Sequence, residues 1–256
     1  AFKKGYIEEL LKLSPSRAMA AGRHDYDSVL VIPSAALYQS WLSTFTAYND
    51  SLKKYEEGRL NEANQIDYRM IKNDLEANAW YITDFKDYEW NPASYNVCGD
   101  FAEILNGRYA PLEDRLRAFG KKLNKVPAYY VAAKELIKTP VIEHTELAIL
   151  QHDGSVEEVF GKNLSDSLAA SKLSDAEKTE FQIKVDSAKS AIIGYANWLK
   201  EKRTGLTPEN SRSFRIGKKL YSDIFRLNIV SVRHESPARA RRIRNLHGLV
   251  SQPGAR

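Results

Sequence analysis

DAEKTEFQIKVDSAKSAIIGYANWLKEK, residues Asp175–Lys202, decides the fold class. Its apolar positions Phe181, Val185, Ala188, Ile192, Ala196 and Leu199 step by 4, 3, 4, 4 and 3. That spacing lines them along one face of an α-helix. Gly205 and Pro208 follow at once and stop it.

The same pattern recurs on the amino-terminal side. Ser34 is an N-cap for a helix whose inward positions are Leu37, Trp41, Phe45, Tyr48, Leu52 and Tyr55, with Gly58 closing it. Tyr68, Ile71, Leu75, Ala79 and Ile82 mark a second long helix between about Asn61 and Tyr88, and the short link predicts an antiparallel hairpin. Ser14-Pro15 opens a shorter helix that Gly22 ends. Further helices are predicted over Phe101 to Leu105, from Pro111 with Leu112, Leu116 and Phe119 inward, from Pro127, and from Pro140 to just before Gly154. Phe214 to Leu227 reads as a last amphipathic helix. A proline in the first turn costs little, because its missing N–H has no helical partner there. Only Ser28-Val-Leu-Val-Ile32 reads as a strand, or equally as a buried extended link. The predicted class is all-α: a multi-helical antiparallel bundle with long helices and little or no strand.

Charge divides the chain near Val232. Residues 1–232 carry 21 Lys and 11 Arg against 32 Asp plus Glu, while residues 233–256 carry six Arg, one Glu and no Lys. The net charge of +5 therefore belongs to the last 24 residues. We read 1–232 as a helical domain and 233–256 as an Arg-rich, non-native-looking or disordered tail, foreign to the body by origin or by reading frame. A neutral body gives no reason to expect specific nucleic-acid binding, and the tail's arginines would hold anionic surfaces without specificity. At 43% hydrophobic and 28% charged the composition is that of a globular domain, and one cysteine, Cys98, rules out an internal disulfide. No apolar run reaches the roughly 18 residues of a transmembrane helix. A start without Met is expected of a processed chain, which leaves open a signal peptide or lipid anchor.

No complete catalytic constellation is present. There is no Gly-rich phosphate loop, no cysteine pair and no nucleophile elbow. His234-Glu235 begins a zinc-binding string, but Ala238 stands where the second histidine belongs and Pro237 disturbs the helix. Glu143, His144 and Glu146 share a helix start, where the dipole favours carboxylates without any function. Trp80, Tyr81, Tyr88 and Trp90 read as core packing rather than base stacking, since no basic residues interleave them. Two loops are candidates: His24-Asp25-Tyr26-Asp27, and Tyr95-Asn96 after Pro92, each able to line a cleft or merely to satisfy backbone and helix ends.

Several landmarks, in order, carry a resemblance. They are Tyr6-Ile-Glu-Glu-Leu10 with Ser14-Pro15, Gly22-Arg-His24-Asp-Tyr-Asp27, Gln65-Ile-Asp67-Tyr, Val126-Pro127 with Pro140, Gln151-His-Asp-Gly154, Tyr195-Ala-Asn-Trp-Leu199 and Phe214-Arg-Ile-Gly217-Lys-Lys-Leu-Tyr221. Over about residues 2–230 the chain resembles the bacterial family of domain of unknown function 885, common among envelope lipoproteins. The resemblance implies a longer, mostly helical, zinc-metallopeptidase-like protein acting on a peptide-like substrate, with its His-Glu helix and further Glu ligand in a later half. No position here matches those ligands, so no catalytic or metal residue is assigned and zinc is implied only for full-length members. The expected role is an amino-terminal segment, inactive alone and located in the cell envelope or periplasm, with His24, Asp25, Tyr95 and Asn96 on the rim of a substrate cleft. The alternative is a stand-alone helical binding module whose basic tail docks an acidic partner or surface.

Overall fold

Ser174 starts the longest helix with a reciprocal cap: its hydroxyl accepts from Glu177 N–H, and the Glu177 carboxylate accepts from Ser174 N–H. From there α10 runs Asp175–Thr204, two residues past the predicted end, and every position of its predicted stripe is buried. The computed structural model describes residues 1–228. The tail expected at 233–256 lies outside the described residues.

α10 is the axis of the main core. The helices are α1 (Phe2–Leu13), α2 (Pro15–Ala20), α3 (Ala35–Leu52), α4 (Glu62–Trp80), α5 (Cys98–Asn106), α6 (Leu112–Leu123), α7 (Val126–Leu136), α8 (Ile142–Phe160), α9 (Lys162–Ala170) and α11 (Gly217–Asn228). α6, α7 and α8 lie against α10. Lys200 bonds Asp153 and Arg203 bonds Glu146, so α8 runs antiparallel to α10. The main core joins Phe101, Phe119, Tyr130, Val159, Phe160, Phe181, Ile192, Tyr195 and Leu199. Arg115 of α6 reaches back to the Ile104 and Leu105 carbonyls, supplying donors to the open end of α5. Lys122 is fully buried and is held by Asp100 at 2.6 Å.

A second, smaller core joins Tyr6, Phe45, Leu52, Ile71 and Leu75 where α1 packs with the α3–α4 hairpin. Ser34 caps α3 as its sequence position predicts, and Asn61, the approximate start read for the second helix, caps α4 through its side chain. α11 leans on α4, with Asn73 Nδ2 donating to the Leu227 carbonyl.

Among the described residues there is no strand, and the all-α class holds. The strand or buried link expected at 28–32 is neither: Ser28 closes a turn, and 29–32 carry no regular secondary structure, with Val29 and Ile32 exposed. α8 does not stop at Gly154. It continues to Phe160 because His152, Val156, Val159 and Phe160 bury their side chains, which outweighs the roughly 1 kcal/mol that one glycine costs a helix. Gly161 makes the break instead: a Cβ there would lie 2.2 Å from the Glu157 carbonyl oxygen. α4 ends at Trp80 and passes into one π-helical turn, Tyr81–Phe85, then through Lys86 at φ 49° into a short 3-10 turn, Asp87–Glu89.

Candidate functional site

Gly22, at φ 73°, ends α2 in the left-handed conformation that glycine tolerates, and releases the chain into the loop holding His24. Asp27 is the organising group of this loop. It is 3% exposed, accepts from Tyr109 OH through Oδ2, and holds His24 Nδ1 at 3.0 Å through the same oxygen. Its Oδ1 has no partner among the described residues. The His24 ring lies flat on Tyr109, centroids 3.3 Å apart and planes 2° from parallel. An imidazole fixed by a carboxylate on Nδ1 has its Nε2 left for another group. Asp25 is exposed and bonds Arg23 at 2.7 Å, and Arg23 also pairs with Glu8 of α1. The guanidinium holds both carboxyls below the usual range. Burial, then the Asp27 bond, raises the Tyr109 hydroxyl.

The second loop is built differently. Tyr95 is buried, with its hydroxyl donating to the Tyr88 carbonyl at 2.6 Å, and Tyr195 OH reaches the Pro92 carbonyl. Asn96 is half-buried: Oδ1 accepts from Cys98 N–H and Nδ2 reaches Ser155 Oγ. Burial pushes the Cys98 thiol up to about 12, so it stays protonated at neutral pH. Beside this loop opens a cavity of about 210 Å³ lined by Tyr38 and Trp41 of α3, Asp87, Tyr88 and Tyr95 of the turn region, and Tyr129 of α7, with Val31 and Pro33 of the segment 29–34. Tyr38 and Tyr88 stack at 4.0 Å, and Trp41 meets Tyr38 edge-on at 5.7 Å. The π-turn and the left-handed Lys86 are what bring Asp87 and Tyr88 to this wall.

The link 29–34 follows the His24 loop in the chain, and its Val31 and Pro33 line the cavity that Tyr95 also borders. His144 lies instead edge-on to Trp90 at 5.5 Å, with its Nδ1 buried and unpartnered. His152 is fully buried, its Nδ1 donating to the Ala148 carbonyl, and burial lowers its pKa. Sequence reasoning missed Asp27 as the anchor, Tyr109, and the Tyr38–Trp41–Asp87 wall. Tyr38 sits one position off the Leu37–Trp41 stripe, which is the only local sign of a second face.

Zinc, which the resemblance implies, can be tested against these side chains. Among the described residues no group of three or more His, Cys, Asp or Glu stands together in a way that could hold a metal. These residues do not fit a metal centre of their own.

The chain belongs to the family of bacterial proteins of unknown function termed DUF885, whose sequence profile matches residues 15–234. A solved structure, described as "a putative lipoprotein of unknown function from Shewanella oneidensis", is similar at 42% identity and a TM-score of 0.84. That match covers 88% of this chain and 41% of the other, so the chain spans less than half the length of that relative. No curated protein matches it. Among the described residues no helix is long and apolar enough to cross a membrane.

Proposed function

We propose that residues 1–228 form the amino-terminal wall of a substrate cleft in a larger, zinc-metallopeptidase-like protein of the cell envelope. In this reading they shape and grip a peptide-like substrate, and metal ligands come from elsewhere in the larger fold. The observation that carries it is the length relation: at 42% identity the match takes in most of this chain but 41% of the relative. The lipoprotein description of the relative supports the envelope location. His24 and Asp25 suit the rim because their loop is open to solvent while Asp27 fixes it from beneath. Tyr95 would contribute through the cavity that it lines, with Asn96 beside it on the rim.

The test compares this chain with one extended by the portion of the fold that the relative carries beyond the match. Metal content after gel filtration and cleavage of a mixed peptide library are measured on both. The expected result is zinc and cleavage in the extended chain alone. One zinc per molecule in the short chain, lost in His24→Ala, would overturn the reading.

A further inference from the structure

The cavity beside Tyr95 has a composition that ordinary packing does not require. Its walls are aromatic, and Asp87 is the single carboxylate among its lining residues. No Lys or Arg among the described residues pairs with Asp87. A partly desolvated carboxylate without a counter-ion is costly, and most such groups in folded proteins are paired. Here the turn that places it is itself unusual: a π-helical turn followed by Lys86, the one non-glycine residue at positive φ among the described residues. Such backbone is retained mainly where a side chain must be aimed.

Aromatic faces carry negative quadrupoles and attract cations, most strongly organic ones that shed water readily. Tyr38 and Tyr88 cover one face of each other at 4.0 Å, which leaves their remaining ring surface and Trp41 to line the cavity, and Asp87 supplies the charge. At about 210 Å³ the cavity is smaller than a pocket for a drug-sized ligand and suits one head group or side-chain end.

The geometry points to an organic-cation site: a small alkylammonium group, from a lysine side chain or a free methylated amine, seated among Tyr38, Trp41 and Tyr88 with Asp87 as counter-ion. Burial raises the pKa of Asp87, against the backbone N–H groups of Tyr88 and Asp87 that lower it. The inference does not depend on the peptidase reading, because binding is measured on this chain alone.

The experiment titrates the chain with choline, with its uncharged isostere 3,3-dimethylbutan-1-ol, and with Nα-acetyl-lysine amide, at constant ionic strength, following tryptophan fluorescence and heat. At least one cation should saturate, with the isostere weaker by about tenfold. Asp87→Asn should lose about as much, and Trp41→Leu a smaller factor, both with unchanged circular dichroism. Tighter binding of the lysine amide assigns the cation to a peptide side chain, and tighter choline binding assigns it to a free amine. Failure of both cations to saturate, or equal binding of choline and its isostere to the unmutated chain, would overturn the proposal even if Asp87→Asn does not fold.

Discussion

The core around α10 and the core between α1, α3 and α4 use the same amphipathic helices and close them differently. Around α10, helices arrive from several sides, and Phe101, Phe119, Ile192 and Leu199 have no exposed surface. In the smaller core one layer of side chains sits between three helices, edged by half-buried Phe2, Trp41, Tyr48 and Tyr68. Polar links there do what enclosure does elsewhere: Tyr6 OH bonds Asp74, Lys3 pairs with Asp67, and Tyr48 OH reaches the Gly5 carbonyl. α4 also leaves Ile66 and Met70 exposed. An enclosed layer draws its register from shape, whereas a one-sided layer needs directional bonds to fix it. Local opening is expected to cost less in the second.

The largest effect should come from Ile192→Ala, which opens a void at a site with no exposed surface and should cost about 2–5 kcal/mol in denaturant unfolding. Native-state hydrogen exchange of α10 should weaken by the same amount, while amides of α1, if they open locally, should hardly move. Equal losses in both would mean one cooperative unit and would break the comparison.

Next come two glycines of one segment with opposite signs. Gly161→Ala forces a Cβ against backbone and should destabilise by about 1–3 kcal/mol. Gly154→Ala meets nothing within 4 Å on an exposed helix position and should stabilise by about 1 kcal/mol. Melting of the two variants checks both signs, and a stabilising Gly161→Ala would remove the account of why α8 ends where it does.

Tyr6→Phe should cost about 1 kcal/mol, read as faster exchange in α1 and α4 and little change in α10. The burial that raises the Tyr6 hydroxyl keeps it a donor at any ordinary pH, so the effect should be flat from neutral to mildly alkaline conditions.

The smallest effect at neutral pH concerns His152. Its folded pKa lies below the ordinary 6.5, so as pH falls through 6.5 the unfolded chain takes up a proton that the folded chain refuses. Stability should decline with acid down to the folded pKa. His152→Phe should shrink that decline in urea titrations run at successive pH values. An unchanged acid slope would place the proton uptake elsewhere.

The helices were legible because each buries a stripe that repeats within one or two turns. The α10 stripe, the Ser34 cap, the start of α4 near Asn61 and the Gly22 stop were read at their positions for that reason. The end of α8 was not, since what forbids a side chain at Gly161 is the Glu157 carbonyl, and the packing of Val159 and Phe160 that carries the helix past Gly154 is tertiary. α1 and α9 were not read, and neither start has a side-chain cap to mark it. In the site, the His24 loop was visible as polar chain between helices. The cavity was not, because Tyr38, Asp87 and Tyr129 are brought together from three distant stretches and no local spacing records their meeting.

Among the described residues α10 is also the last large piece of the main core to be synthesised. Phe101, Phe119 and Tyr130 leave the ribosome long before Ile192 and Leu199, the residues that cover them. At roughly 10 residues per second the interval between Phe101 and Leu199 is on the order of ten seconds. During that wait α5 to α8 can pair with one another and with earlier segments such as Pro92–Tyr95, but the faces that α10 covers stay open to water. A chain arrested before Asp175 is therefore an aggregation-prone intermediate and a natural client for chaperones. The pace of translation across the α8–α10 stretch becomes a variable that governs yield, independent of how stable the finished bundle is.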